Sequence, residues 1–337
     1  MLPHSQTRSC PRRHRVIAVL ALAFGALLAP LASAQEGTPE DAIVITGAAG
    51  PLAGATIQGL VARGVRLDRL ILVTPTPELL ASLAESGAQV RAGDFTKPET
   101  LPAAFAGGKE MLLIGSDSDG DRVAQHAAAI SAARRAGVRR IVYTSFINPT
   151  DENPASIVRE HRLTEEALTR SGVAYTILRN QLYMEGMIDE LARALARGDM
   201  LTNAGWGKWA PVARQDCGAV AAVVLTTPGH ERKIYDITGP DLVNWVELAK
   251  LVPEVAGRTF RVIQVDDRAV IERGVQDGLS EAEAKRNASF GLAMRANALN
   301  IRSDVLQILL GRPPVSVRDM LAQNKARLTT AGRQNRR

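Results

Sequence analysis

Two glycines three residues apart, Gly47 and Gly50, stand directly behind an apolar, β-branched run in the stretch "AIVITGAAGPLAGA". The run Ala42 to Ile45 has the composition of a buried strand. Pro51 suits the first turn of a helix, where a missing N–H costs nothing. Strand, glycine turn and helix start, in that order, offer unpaired amides and the positive end of a helix dipole to a phosphate. Glycines also admit a pyrophosphate close to the backbone. This is the chemistry of a dinucleotide site, with Gly47, Ala48, Gly50, Pro51 and Leu52 as its cradle.

Proton transfer has fewer candidates. A Tyr-x-x-x-Lys pair, in which lysine makes tyrosine a usable acid, is absent. Tyr143, Tyr175, Tyr183 and Tyr235 are followed four residues later by Ile147, Arg179, Met187 and Gly239. Reduction of a simple ketone then lacks its proton donor, whereas a quinone can accept hydride and take its proton from solvent. His161 is the leading catalytic candidate, with an ordinary pKa near ~6.5; the competing readings are a helix-surface histidine, or one satisfied by Glu165 one turn on. Cys217 precedes the small, apolar "GAVAAVVL" and reads as a buried small hydrophobe rather than a reactive thiol. No Cys/His spacing suits zinc, so no metal is expected.

These residues need a scaffold, and the alternation of the chain provides one. Apolar strands at "AIVIT", "LILVT", "AQVRAG", "MLLIG", "RIVYTS" and "AYTILRN" alternate with helical patterns near Pro51 to Arg63, Pro77 to Ser86, Lys97 to Ala106, Gly120 to Ala136 and Ser156 to Ser171. Near-continuous apolar strands separated by helices mean a parallel sheet covered on both faces. Right-handed crossovers make it an α/β, doubly wound, Rossmann-like sheet. After Asn180 the rhythm changes to a small, mostly helical C-terminal substrate region, with a strand at "RKIYDITG" and another near Phe260 to Val265.

Ligands of such a fold bind outside the carboxyl ends of the strands. That edge holds Thr74, Asp94, Gly115, Ser116, Thr144 and Ser145 as cofactor-binding candidates. Asp94 has a second reading as the cap of "FTKPE", and Thr144 and Ser145 as caps of the loop behind them. Asn180 and Tyr183 follow the sixth strand and face the substrate, Tyr183 also as a catalytic candidate. Trp206 and Trp209, in a glycine-rich loop at the cleft mouth, suit a planar acceptor.

The ends of the chain differ from its middle. Arg8, Arg12, Arg13 and Arg15 precede the apolar run Val16 to Leu31, and "LASAQ" follows. A basic head, an apolar middle and an Ala-x-Ala site make residues 1–34 a signal peptide, cleaved after Ala34, for an exported protein, periplasmic or secreted, without stable membrane insertion once the signal is removed. The Arg12–Arg13 pair admits the twin-arginine route alongside the ordinary secretory one. The net charge of the chain is +6. The signal holds four arginines and the last thirteen residues five basic ones, all without acids, so residues 35–324 carry about −3. A nucleic-acid partner is excluded on that distribution, because the basic residues are not on the domain. The expected organisation is 1–34 signal, 35–180 dinucleotide-binding domain, 181–322 substrate or lid region packing back on the sheet, and 323–337 a basic flexible tail.

The stretches "ITGAAGPLAG", "IVYTS" and above all "EHRLTEEALTRSGVAYTILRNQLYMEG" resemble the NmrA-like atypical short-chain dehydrogenases, most closely the bacterial NAD(P)H:quinone oxidoreductases. The resemblance covers about residues 41–320. It implies a Rossmann domain binding NADP or NAD and hydride transfer to a quinone-like small-molecule acceptor. The family commonly has an arginine for the 2′-phosphate after the second strand; here Pro75 stands there, between Thr74 and Thr76. The choice between NADP and NAD is therefore open. So is the alternative of a non-catalytic NmrA-like sensor or scaffold, which the missing tyrosine–lysine pair favours.

Overall fold

The computed structural model describes residues 41–115 and 121–331. The expected signal peptide and Ser116 lie outside the described residues. Among the described residues nine strands are seen: β1 (Ala42–Thr46), β2 (Leu70–Thr74), β3 (Gln89–Ala92), β4 (Gly108–Leu113), β5 (Arg140–Phe146), β6 (Ala174–Asn180), β7 (Asp199–Thr202), β8 (Lys233–Ile237) and β9 (Arg261–Gln264). The helices of the first half are α1 (Pro51–Ala62), α2 (Ala81–Glu85), α3 (Leu101–Phe105), α4 (Arg122–Arg135), α5 (Val158–Arg170) and α6 (Met184–Arg197). Those of the second are α7 (Arg214–Thr226), α8 (Trp245–Ala256), α9 (Asp267–Gln276), α10 (Glu281–Arg295), α11 (Val305–Leu310), α12 (Val317–Gln323) and α13 (Lys325–Ala331).

Seven strands form one parallel sheet in the order β3-β2-β1-β4-β5-β6-β8. The chain moves outward from β1 to β3, then returns to the other side of β1 at β4. That reversal opens a crevice at the carboxyl ends of β1 and β4, where doubly wound sheets take ligands. The doubly wound, Rossmann-like expectation is met. β1, β2 and β5 are buried along their whole length, which is why they read as apolar runs without alternation.

The strand pleat sorts side chains between two cores. Ile43, Ile45, Leu70, Leu72 and Leu112 face α1 and α7. Val44, Ile71, Val73, Met111, Leu113 and Tyr143 face α3, α4 and α5. α1 and α7 approach closely because the residues between them are small: a Cβ on Gly218 would lie 2.5 Å from the Ala55 backbone, and one on Gly59 3.0 Å from the Ala222 Cβ. A third core gathers α6, α8, α10, α12 and α13 around Leu191, Leu195, Trp209 and Leu248.

Two features differ from expectation. The four residues of β7 pair in parallel with β9 in a separate two-stranded sheet; so short a strand leaves no readable period. The basic tail expected from residue 323 is helical through Ala331. Its single large apolar residue, Leu328, is fully buried in the third core, and Arg327 forms an ion pair with Asp189 of α6. No helix among the described residues is long and apolar enough to cross a membrane.

Candidate functional site

One cavity of about 980 Å³ runs along the carboxyl edge of the sheet and beneath the helices of the third core. Its first wall is the glycine turn. Thr46 ends β1 and ties it to β4: its hydroxyl oxygen accepts from the Ile114 N–H at 2.9 Å. Gly47 then adopts a left-handed φ of 58°, which glycine reaches without strain. The Gly50 N–H closes the turn onto the Gly47 carbonyl at 2.8 Å, and a Cβ on Gly50 would sit 3.1 Å from that oxygen. α1 has no side-chain cap, and its first internal bond runs from the Gly54 N–H to the Gly50 carbonyl. The amides of Leu52 and Ala53, which line the cavity, are thus left for a ligand. An uncapped helix start behind a glycine turn fits a dinucleotide pyrophosphate.

Three expected site residues, the cofactor candidates Ala48 and Asp94 and the acceptor candidate Trp206, stand outside the cavity wall. Ala48 does not line the cavity: it is buried, and its N–H donates to the Val73 carbonyl, so its neighbour Ala49 takes the wall position. Asp94 is also absent from the wall. Its carboxylate accepts from the N–H and hydroxyl of Thr96 at 2.8 and 2.7 Å, which holds its own loop. Trp206 is 74% exposed and lies outside the cavity, whereas Trp209 is buried, lines it, and packs on Trp245 with ring centroids 4.8 Å apart.

Thr74, Pro75 and Thr76 close the trough beyond β2 with two hydroxyls and a proline ring. The hydroxyls lie 3.2 Å apart and the Thr76 N–H donates to Thr74 Oγ1. This segment carries no charge. The arginines of the wall come from helices α4, α6, α7, α9 and α10 instead.

The central wall is built on β5. Tyr143, Thr144 and Ser145 line the cavity together with Gly115 at the end of β4. Thr144 Oγ1 donates to the Leu113 carbonyl. Ser145 Oγ donates to Glu165 at 2.6 Å, and Arg179 donates to the same carboxylate through two nitrogens at 3.0 and 2.7 Å. Glu165 is thereby committed to holding α5 against β5 and β6, and it is not the partner of His161.

His161 meets Tyr143 instead. Its Nδ1 lies 2.8 Å from the tyrosine hydroxyl, and its ring stacks near Phe146 at 6.2 Å. Burial, with smaller effects from His126 and Arg122, holds its pKa down at about 3. Burial likewise pushes the Tyr143 hydroxyl well above the usual tyrosine range. His161 is therefore neutral near neutrality and can act through a hydrogen bond, not as an imidazolium acid. Tyr143 was missed in the sequence because its partner is eighteen residues away rather than a lysine at four.

Asn180 and Tyr183 both line the cavity. Asn180 Nδ2 donates to the Tyr183 hydroxyl at 3.2 Å, and the buried Asn180 Oδ1 has no partner among the described residues. Arg214 lies over the Tyr183 ring, 5.0 Å from its centroid. Burial raises the Tyr183 pKa, so this hydroxyl too stays protonated. Cys217 is buried, and its thiol is pushed up by burial first and Asp216 second; it behaves as packing.

Comparison with known proteins places this geometry. A family described as NAD(P)H-binding matches residues 47–228. The chain is 32% identical over 282 residues to quinone oxidoreductase 2 of Escherichia coli strain K12, covering 83% of this chain and 97% of that protein. It is 30% identical over 200 residues to the NAD(P)H azoreductase of Xenophilus azovorans, covering 58% of this chain and 70% of that protein. Among solved structures, the triphenylmethane reductase of Citrobacter sp. complexed with NADP(H) superposes with a TM-score of 0.78 at 33% identity, over 84% of this chain and 99% of that one.

Proposed function

The chain belongs to the NAD(P)H-binding family, and from that premise we propose an NAD(P)H-dependent oxidoreductase that reduces a flat, quinone-like small acceptor. The observation that carries the reading is the continuity of one cavity, from the uncapped start of α1 to the aromatic wall of Tyr143, Tyr183 and Trp209. A trough for a dinucleotide and a slot for a planar molecule share that space.

A bound NAD(P)H supplies a hydride. The chain supplies position and surroundings. The amides at the start of α1 hold the pyrophosphate. The neutral Tyr143–His161 pair offers a hydrogen bond to an acceptor oxygen in the central wall. The Glu165–Ser145–Arg179 cluster keeps β5, β6 and α5 in register around it. Burial keeps Tyr143, His161 and Tyr183 uncharged near pH 7. A site without a proton donor of neutral pKa suits an acceptor whose product takes its proton from water. Relatives named for quinone and azo-group reduction support that class.

The same shortage of a titrating group favours a second reading, a dinucleotide-binding sensor without turnover. Titration of the tryptophan fluorescence with NADPH and NADH, followed by a quinone reduction assay, separates the two. Binding with turnover supports the oxidoreductase, binding without turnover the sensor, and no binding to folded protein sinks both. Export to the periplasm or beyond belongs to the same proposal and rests on the basic head and Ala-x-Ala site before residue 35. Recovery of a product starting at Gln35 outside the cytoplasm checks it; a cytoplasmic chain that keeps residues 1–34 rejects it.

A further inference from the structure

His126 carries a ring nitrogen with nothing to bind. It sits on α4, 3% exposed, edge-on to Phe95 and Tyr143. Its Nδ1 lies 2.9 Å from Thr164 Oγ1. The Thr164 hydroxyl has one hydrogen, and that hydrogen goes to the Glu160 carbonyl at 2.8 Å. Nδ1 is therefore the donor and carries the proton of the neutral ring. Nε2 is left as a bare lone pair, and it has no partner among the described residues. Burial, helped by Arg122, holds the histidine down at about 4, so the ring stays neutral in ordinary buffers. A buried acceptor without a donor is rare in native proteins and asks for an explanation.

Gly115 supplies the second half of the argument. Its φ is not in the left-handed region, so its backbone does not demand glycine. A Cβ at that position would meet His126 Nε2 at 2.9 Å and Cε1 at 3.0 Å. A side chain at 115 would press directly on the buried Nε2, and both residues line the cavity.

We propose that His126 Nε2 is a ligand-binding atom: it accepts a hydrogen bond from a hydroxyl or amide N–H of the dinucleotide lying over Gly115. The inference rests on the dinucleotide reading of this cavity. The chemistry is selective within that ligand. Ribose hydroxyls and the nicotinamide carboxamide donate hydrogen bonds, whereas phosphate oxygens only accept them and would be repelled by a lone pair. α1 thus takes the anionic part and His126 a neutral donor group.

The test uses the full chain labelled with ¹⁵N-histidine, observed by long-range ¹H–¹⁵N NMR when free, with saturating NADPH or NADH, and with inorganic pyrophosphate as a ligand that lacks donors. The expected result is an Nδ1–H tautomer for His126 whose Nε2 resonance moves with either dinucleotide and stays in place with pyrophosphate. His126→Phe and Gly115→Ala are each expected to weaken NADPH binding about tenfold, the value of one ordinary hydrogen bond. An Nε2 resonance unmoved at saturation overturns the inference, as does an Nε2–H tautomer in the free protein or wild-type affinity in both variants. If the phenylalanine variant does not fold, the spectra of the unaltered chain still decide. Failure of the unaltered chain to bind NADPH or NADH rejects the dinucleotide reading itself; binding with a silent Nε2 rejects only the role of His126.

Discussion

The Tyr143 hydroxyl and His161 Nδ1 stand 2.8 Å apart across the gap between β5 and α5, and neither changes charge near neutral pH. A pair of this kind can orient an acceptor oxygen but cannot deliver a free acid. Tyr143→Phe is expected to lower kcat about tenfold or more, at the weak end of general acid–base effects. The Kd for NADPH should stay within about twofold of wild type, a shift of under half a kcal/mol. Steady-state kinetics with a quinone, beside a fluorescence titration, makes the comparison. An unchanged kcat removes the pair from the chemistry.

Gly47 has a φ of 58°, and a Cβ on Gly50 would crowd the Gly47 carbonyl at 3.1 Å. Gly47→Ala therefore costs about 1–2 kcal/mol of backbone strain, and Gly50→Val adds bulk where a pyrophosphate approaches. Both variants should raise the Kd for NADPH and NADH alike, by about tenfold or more at that strain. Calorimetric titration reads the effect directly, and equal affinities in variant and wild type would argue that the ligand lies elsewhere.

The trough beyond β2 holds Thr74, Pro75 and Thr76 and no charge. A 2′-phosphate gains most from a guanidinium, which can bind it through two parallel hydrogen bonds. Pro75→Arg should shift the ratio of NADPH to NADH affinity toward NADPH by about tenfold, roughly one charge-assisted hydrogen bond. If the ratio does not move, the 2′ position does not face residue 75.

Two buried histidines give the fold a pH signature. His161 and His126 have folded pKa values near 3 and 4, below the unfolded value. Above pH ~6.5 both states are neutral and the histidines contribute nothing. As pH falls below that value, the unfolded chain takes up protons that the folded chain refuses, and stability drops. The slope approaches about 1.4 kcal/mol per pH unit for each histidine. Urea unfolding between pH 7 and 5 should show this loss, and His126→Phe should flatten it by about half, one of two equal terms. A midpoint independent of pH over that range would mean that the rings are hydrated in the folded state.

The middle of the sheet was legible because β1, β2 and β5 are buried along their whole length, so runs such as "LILVT" announce themselves by composition alone. The turn at Gly47 to Pro51 was equally plain, since few residue types serve a left-handed bend followed by a helix start. Side-chain direction was not. Ala48 and Ala49 are identical in sequence, yet one turns inward to bond β2 and the other lines the cavity. Trp206 and Trp209 share a loop and part in the same way. The Tyr143–His161 and His126–Thr164 pairs join different elements across the α4–β5–α5 packing, and no local spacing encodes them. Leu328, one apolar residue in a basic run, was too little signal to reveal a helix.

The close seating of α7 on α1 has a consequence for how the protein is made. Arg63 at the end of α1 reaches the Thr226 hydroxyl at the end of α7, 163 residues later in the chain. One edge strand of the main sheet, β8, arrives later still. During synthesis the glycine turn leaves the ribosome early but must wait for a distant helix before its own helix is held in place. The helix behind the glycine turn is thus held by residues well past the middle of the chain.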